Sequence, residues 1–231
     1  MIKYFLIILF LVSKAYSACD FPTGDFIKQL SDPSQISLID INIPKSSKYA
    51  TNQYKILTSS SLNIPPELRK NFDAQIKVEY KFGSCKYSGR IRQNGDWKDH
   101  ILFNNGQPIS SLDVKLNEGN IFNAVRFKLL LPETRNGHNE ILASLILKSL
   151  GFLAPETFEV MTSVNGINSI MLFQEKAEKE LLERNLRREG PLFEGDESIM
   201  WSYKDFEHEE ISVLALSRLT NKNWFKKGDS S

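Results

Sequence analysis

Two cysteines and three histidines are all that 231 residues supply of the side chains that most often hold transition metals. His100, His138 and His208 lie far apart, none at ligand spacing from another, so a histidine-based metal site has no support here. The chain has no Gly-x-Ser-x-Gly elbow, no Walker A loop and no Rossmann glycine fingerprint. Asp96, Asp99 and His100 cluster after Gly95. They read first as a polar loop and only second as the centre of a secreted hydrolase. An excess of one charge is also missing, since 29 Lys and Arg face 28 Asp and Glu for a net +1. Such a balance gives no electrostatic reason to bind nucleic acid.

Long apolar runs are equally scarce. The single candidate, Phe5–Val12, is shorter than the roughly 20 residues that span a bilayer. It follows Lys3 and precedes Ala15-Tyr16-Ser17, with small residues at the positions a signal peptidase reads, so residues 1–17 are expected to be a cleaved secretory signal. Its loss removes Lys3 and Lys14 and takes the charge from +1 to −1. The expected location is periplasmic or extracellular. Export permits a Cys19–Cys85 disulfide. Lipidation of Cys19, which would anchor the protein to a membrane, and two inert thiols are the other readings.

What is present is a succession of short strands. Ser37–Ile43 reads as a strand ended by Pro44, while Lys45–Pro66 carries turn-formers and few large apolar residues, as either a loop or loosely packed decoration would. Pro65-Pro66-Glu67 starts a short helix. Ile76–Phe82 alternates strictly, Gly83-Ser84 suggests a tight turn, and Cys85–Arg92 returns with Cys85, Tyr87, Gly89 and Ile91 inward. Leu112–Leu116 and Val125–Leu131 add two more strands. Asn136–Gly151 predicts a helix with Ile141, Leu142, Leu145, Ile146 and Leu150 toward the core, stopped by Gly151 and Pro155. Two β runs follow around Asn165-Gly166, a strong hairpin signal. A charged helix is expected over Gln174–Arg188, and a last helix over Phe206–Leu219 with Ile211, Leu214, Ala215 and Arg218 at helical spacing.

The expected architecture is α+β: a mostly antiparallel sheet with packed helices in the layout of a kinase-type N-terminal lobe, preceded by a β-rich accessory region. The boundaries that follow are 1–17 (signal), 18–75 (loop-rich segment), 76–196 (α+β domain) and 197–231 (a helix that would open a second lobe). Lys115, and Arg126 with Lys128, project from strands, with Glu140 one turn into the helix. A strand lysine paired with a helix carboxylate holds nucleotide phosphates in kinases. The same cations also suit the wet face of a half-exposed sheet, with Glu140 complementing the helix dipole.

Several segments carry a family likeness. GRIRQNGDW, SLDVKLNEGN, VRFKLLLPETRNGHNEILASLILKSLGFLAPETFEV, NGINSIMLFQEKAEKELLERN and GPLFEGD occur in that order over residues 89–196. In this order they resemble the spore-coat-protein CotH kinase family, an atypical secreted kinase-like group. The resemblance implies ATP and Mg²⁺ as cofactors and an envelope or surface protein as phosphate acceptor. It makes Lys115 the nucleotide-phosphate lysine with Lys128 as substitute, Glu140 its helix partner, Glu175 a residue lining the adenine side, and Asp196 the start of a second lobe. The sequence departs from the family pattern after Arg92, around Ser169 and Met171, and at Glu178. Past Asp196 only Asp205 and Asp229 remain, neither in a catalytic-loop setting. The expectation is therefore a fragment, or a kinase-like protein without activity. The rival is a non-catalytic envelope binding or structural protein.

Overall fold

The computed structural model describes residues 18–21, 28–104, 106–195 and 217–221. The proposed signal and most of the expected last helix (206–216), as well as Asp196, lie outside them. The chain builds β1 (Ala18–Asp20), β2 (Ile36–Asn42), α1 (Ser46–Thr58), β3 (Phe72–Tyr80), β4 (Gly83–Gln93), β5 (Ile101–Asn104), β6 (Gln107–Ser110), β7 (Leu112–Leu116) and β8 (Arg126–Leu130). Then come α2 (Asn139–Ser149), β9 (Thr157–Val164), β10 (Ile167–Glu175), α3 (Lys179–Arg184), β11 (Phe193–Gly195) and β12 (Ser217–Leu219).

The α+β kinase-lobe expectation is overturned by how these strands join. Pairing runs β4-β3-β2-β9-β10-β8-β7 and returns from β7 to β4, a closed seven-stranded barrel. Closure depends on two features that local sequence does not reveal. One is the parallel pairing of β2 with β9, Ile39 opposite Thr162. The other is the length of β4, whose one edge holds β1 at Ser84–Lys86 and β7 at Gly89–Gln93. The strand expected in an accessory region, β2, is thus a stave of the barrel wall.

Strand alternation fills the interior as the period-two pattern demands. Ile39 and Ile41, Ile76 and Val78, Ile91, Val114, Phe127, Met171 and Phe173 are all buried in one cluster. Phe173 stacks between Phe127 and Phe158, each ring centre 4.7 Å away. Cys19 and Cys85 face each other across β1 and β4 and form the expected disulfide.

Local readings fared unevenly. The Asn165-Gly166 turn joins β9 to β10 with both residues at positive φ (49° and 84°), as a two-residue hairpin needs. The β3–β4 turn falls at Lys81-Phe82 rather than Gly83-Ser84, because Tyr80 already pairs with Gly83. Lys45–Pro66, read as loop or loosely packed decoration, contains the 13-residue α1. Its buried face is Tyr49, Asn52, Gln53 and Ile56, helical in spacing but half amide in chemistry. The long helix expected over Gln174–Arg188 shrinks to α3, since Gln174 and Glu175 belong to β10. Ser217–Leu219 is a strand paired with β11, not the end of a helix.

The largest surprise is α2. It forms where expected, and Gly151 ends it at φ +79°. Yet Leu142, Leu145 and Ile146 are 57, 57 and 48 % exposed, and Ser144 is its one buried residue. The barrel already has a complete core, so this helix lies on it rather than in it.

Candidate anion-binding site

The register of β4, β7 and β8 decides the chemistry of the barrel's outer wall. Arg90 stands opposite Lys115, and Lys115 opposite Arg126, so three cations share one rung of adjacent strands. The next rung is Arg92, Asp113 and Lys128. Directly opposed side chains sit about 5 Å apart at Cβ, and like charges so placed are destabilising. The two rungs border a cleft of about 240 Å³ lined by Asn71, Arg90, Arg92, Asp113, Lys115 and Arg126.

Two carboxylates serve this cluster, Asp113 in the cleft and Glu178 beside it. Asp113 is 4 % exposed, and its Oδ2 accepts from Arg92 Nη2 at 2.8 Å and Arg92 Nε at 3.2 Å. Arg126 Nη2 lies 3.6 Å and Lys176 Nζ 4.0 Å from the same oxygen. Arg126 also donates to Glu178 at 2.7 Å. Lys115 and Arg90 make no ion pair within 4.0 Å among the described residues, although Asp73 stands opposite Arg90 on β3. The cleft thus holds four cations against one acid that two of them already occupy.

Lys128 extends the positive surface. Burial first, then Arg135, pushes its ammonium below the ordinary lysine value, with Lys176 acting in the same direction and Glu194 and Asp113 opposing. The other residues expected at a nucleotide site are elsewhere employed. Glu140 pairs with Arg135 at 3.6 Å and accepts from Gln174 at 3.1 Å, and no ion pair joins it to Lys115 among the described residues. Glu175 points into the barrel's end, 2 % exposed. There Arg184 Nη2 reaches it at 2.5 Å and the Glu156 N–H at 3.0 Å, while its Oε1 is buried with no hydrogen-bond partner among the described residues. Burial pushes the Glu175 carboxyl up despite Arg184 and that N–H. The lysine–glutamate pair of a kinase lobe is therefore not assembled.

In the hydrolase cluster, burial lowers the His100 imidazole below its ordinary value and outweighs Asp99 and Asp96, which stay close enough to act on its charge. Asp96 pairs with Arg69 at 2.8 Å, and His100 Nδ1 meets the hydroxyl of Ser111, which is completely buried. Among the described residues no group of three His, Cys, Asp or Glu is placed to hold a metal.

Sequence reading reached Lys115, Arg126 and Lys128 but did not join them to Arg90, Arg92 and Asp113. The signal was in RIRQ, LDVKL and RFKL, where charges recur every second residue. Only the register shows that these charges share rungs. No protein-family model matches the chain, and no curated protein does, so the CotH resemblance rests on its motifs alone.

Proposed function

We propose that this is an exported, non-catalytic binding protein that holds a phosphate-bearing anion in the Arg90–Lys115–Arg126 cleft. The observation that carries the proposal is the rung of three cations on adjacent strands, of which Lys115 and Arg90 make no ion pair among the described residues. Such a rung costs stability unless an anion neutralises it. Arginine forks suit the oxygens of a phosphate group, and lysine adds a point charge. Asp113 fixes Arg92 and Arg126 in place without cancelling the cluster's charge.

The test is calorimetric titration with pyrophosphate, paired with urea denaturation. Lys115→Ala is expected to weaken pyrophosphate binding at least tenfold. It should also raise the stability of the unliganded protein by about 0.5 kcal/mol, because a like-charge neighbour is gone. Unchanged binding together with unchanged or lower stability would sink the proposal.

A second reading keeps the CotH likeness: the anion is ATP with Mg²⁺, and a complete protein would transfer phosphate to an envelope or surface protein. Lys115 in the cleft favours it. The unformed pair with Glu140 and the absence of a recognisable catalytic loop in the sequence weigh against transfer by this chain. Mg·ATP binding no tighter than pyrophosphate, with no phosphotransfer, is the expected result. Transfer abolished by Lys115→Ala would replace the first reading with the second.

A further inference from the structure

A larger cleft lies away from the cationic wall, where α1, β6 and the β9–β10 turn meet. Its volume is about 360 Å³, within the range of small-molecule sites. Ala50, Pro108, Ile109, Val164 and Ile167 form apolar walls, and among the described residues no Asp, Glu, Lys, Arg or His lines it. A charged ligand would lose its hydration there and gain no counter-ion, so the lining selects an uncharged one.

The cleft also has a polar end, which an unused surface dimple would not require. Tyr49, Gln53 and Ser110 line it and are 7, 3 and 3 % exposed. Gln53 Nε2 donates to Tyr49 Oη at 2.8 Å and to Ser110 Oγ at 2.7 Å, which engages both amide hydrogens. Tyr49 Oη and Ser110 Oγ are 2.9 Å apart, and that bond uses one hydroxyl hydrogen and leaves the other. Gln53 Oε1 accepts no hydrogen bond among the described residues, although its residue is almost wholly buried. The trio therefore offers one donor and one acceptor at the edge of an apolar space. A group that complements both at once is a carboxamide, which accepts through its oxygen and donates through its nitrogen.

We propose that this cleft binds an uncharged amphiphile, an aliphatic body carrying a carboxamide head. The body lies against Ala50, Ile109, Val164 and Ile167, and the head meets Gln53 Oε1 and the remaining hydroxyl hydrogen of the Tyr49–Ser110 pair. This site is independent of the anion cleft.

The test is a methyl-region NMR titration of the full chain with hexanamide and, separately, with hexanoate at pH 7. Hexanamide is expected to shift the methyl signals of Ala50, Ile109, Val164 and Ile167 saturably, and hexanoate to bind at least tenfold more weakly. Ala50→Trp, at an exposed position on the cleft wall, is expected to abolish the hexanamide response while leaving pyrophosphate binding intact. Gln53→Leu should weaken hexanamide at least fivefold. Absence of saturable shifts in the unsubstituted protein, equal binding of hexanoate, or a response surviving Ala50→Trp would each overturn the proposal. The unsubstituted protein decides the first two outcomes even where a variant folds poorly.

Discussion

Asp113 shows how one side chain can oppose itself. Buried and bound to Arg92 and Arg126, it stabilises the wall, yet its charge lowers the cleft's attraction for an anion. Asp113→Asn is expected to lower stability by about 1–3 kcal/mol, the cost of leaving buried hydrogen-bonding partners poorly satisfied. The same variant should bind pyrophosphate more tightly at low salt, and added salt should erase the gain. Urea denaturation and titration at two ionic strengths measure both, and a stable variant with weaker binding would contradict the assignment. Glu156 offers a pH test. Burial would raise its carboxyl, but Lys148 and Arg184 outweigh burial and hold it below the ordinary value of 4.5. The unfolded carboxylate then binds protons more readily than the folded one, so the stabilisation is complete above 4.5 and is lost as pH falls through the folded value. Glu156→Gln should therefore flatten the loss of stability below pH 4.5. An unchanged acid limb in urea midpoints would refute this.

The elements differ in how far sequence exposes them. β3, β4 and the β9–β10 hairpin were legible because alternation and an Asn-Gly turn are local physics. α1 was not, because Asn52 and Gln53 occupy half of its buried face and find partners beyond the helix, Leu68 O and Ser110 Oγ, with Tyr49 of the same helix. α2 was legible as a helix but not in its environment, since its leucines sit at core-like spacing over a barrel that has no room for them. Leu145→Ala is thus expected to change stability by less than about 0.5 kcal/mol. Leu112→Ala, fully buried inside the wall, should cost about 2–5 kcal/mol. Comparable urea midpoints for the two variants would show that α2 is packed after all. The cation rungs were hidden for a related reason: each strand displayed its charges, but only cross-strand register puts Arg90, Lys115 and Arg126 side by side.

At the scale of the molecule, the seven barrel strands were foreseen and their closure was not, because closure rests on the pairing of Ile39 with Thr162. No periodicity reports a contact between residues so distant in sequence. The disulfide acts at the same scale. It ties β1 to β4 across 66 residues, and a bond closing a loop of that size stabilises by about 2–4 kcal/mol, chiefly by restricting the unfolded chain. Cys19→Ser is expected to lower the urea midpoint accordingly, and reduction of the parent protein should match it. A variant as stable as the parent would show that β1 holds its place without the bond.

The β2–β9 seam also fixes an order of events. β2, β3 and β4 can form a meander early, but the edge of β2 stays open until residues 162–164 arrive to pair with residues 39–41. Non-local closure of this kind is slow, because the loop must be ordered before the contact rewards it. A chain that emerges from its N-terminus therefore remains unlocked through its first two thirds. That delay leaves the edge of β2 as the place where a premature partner would attach.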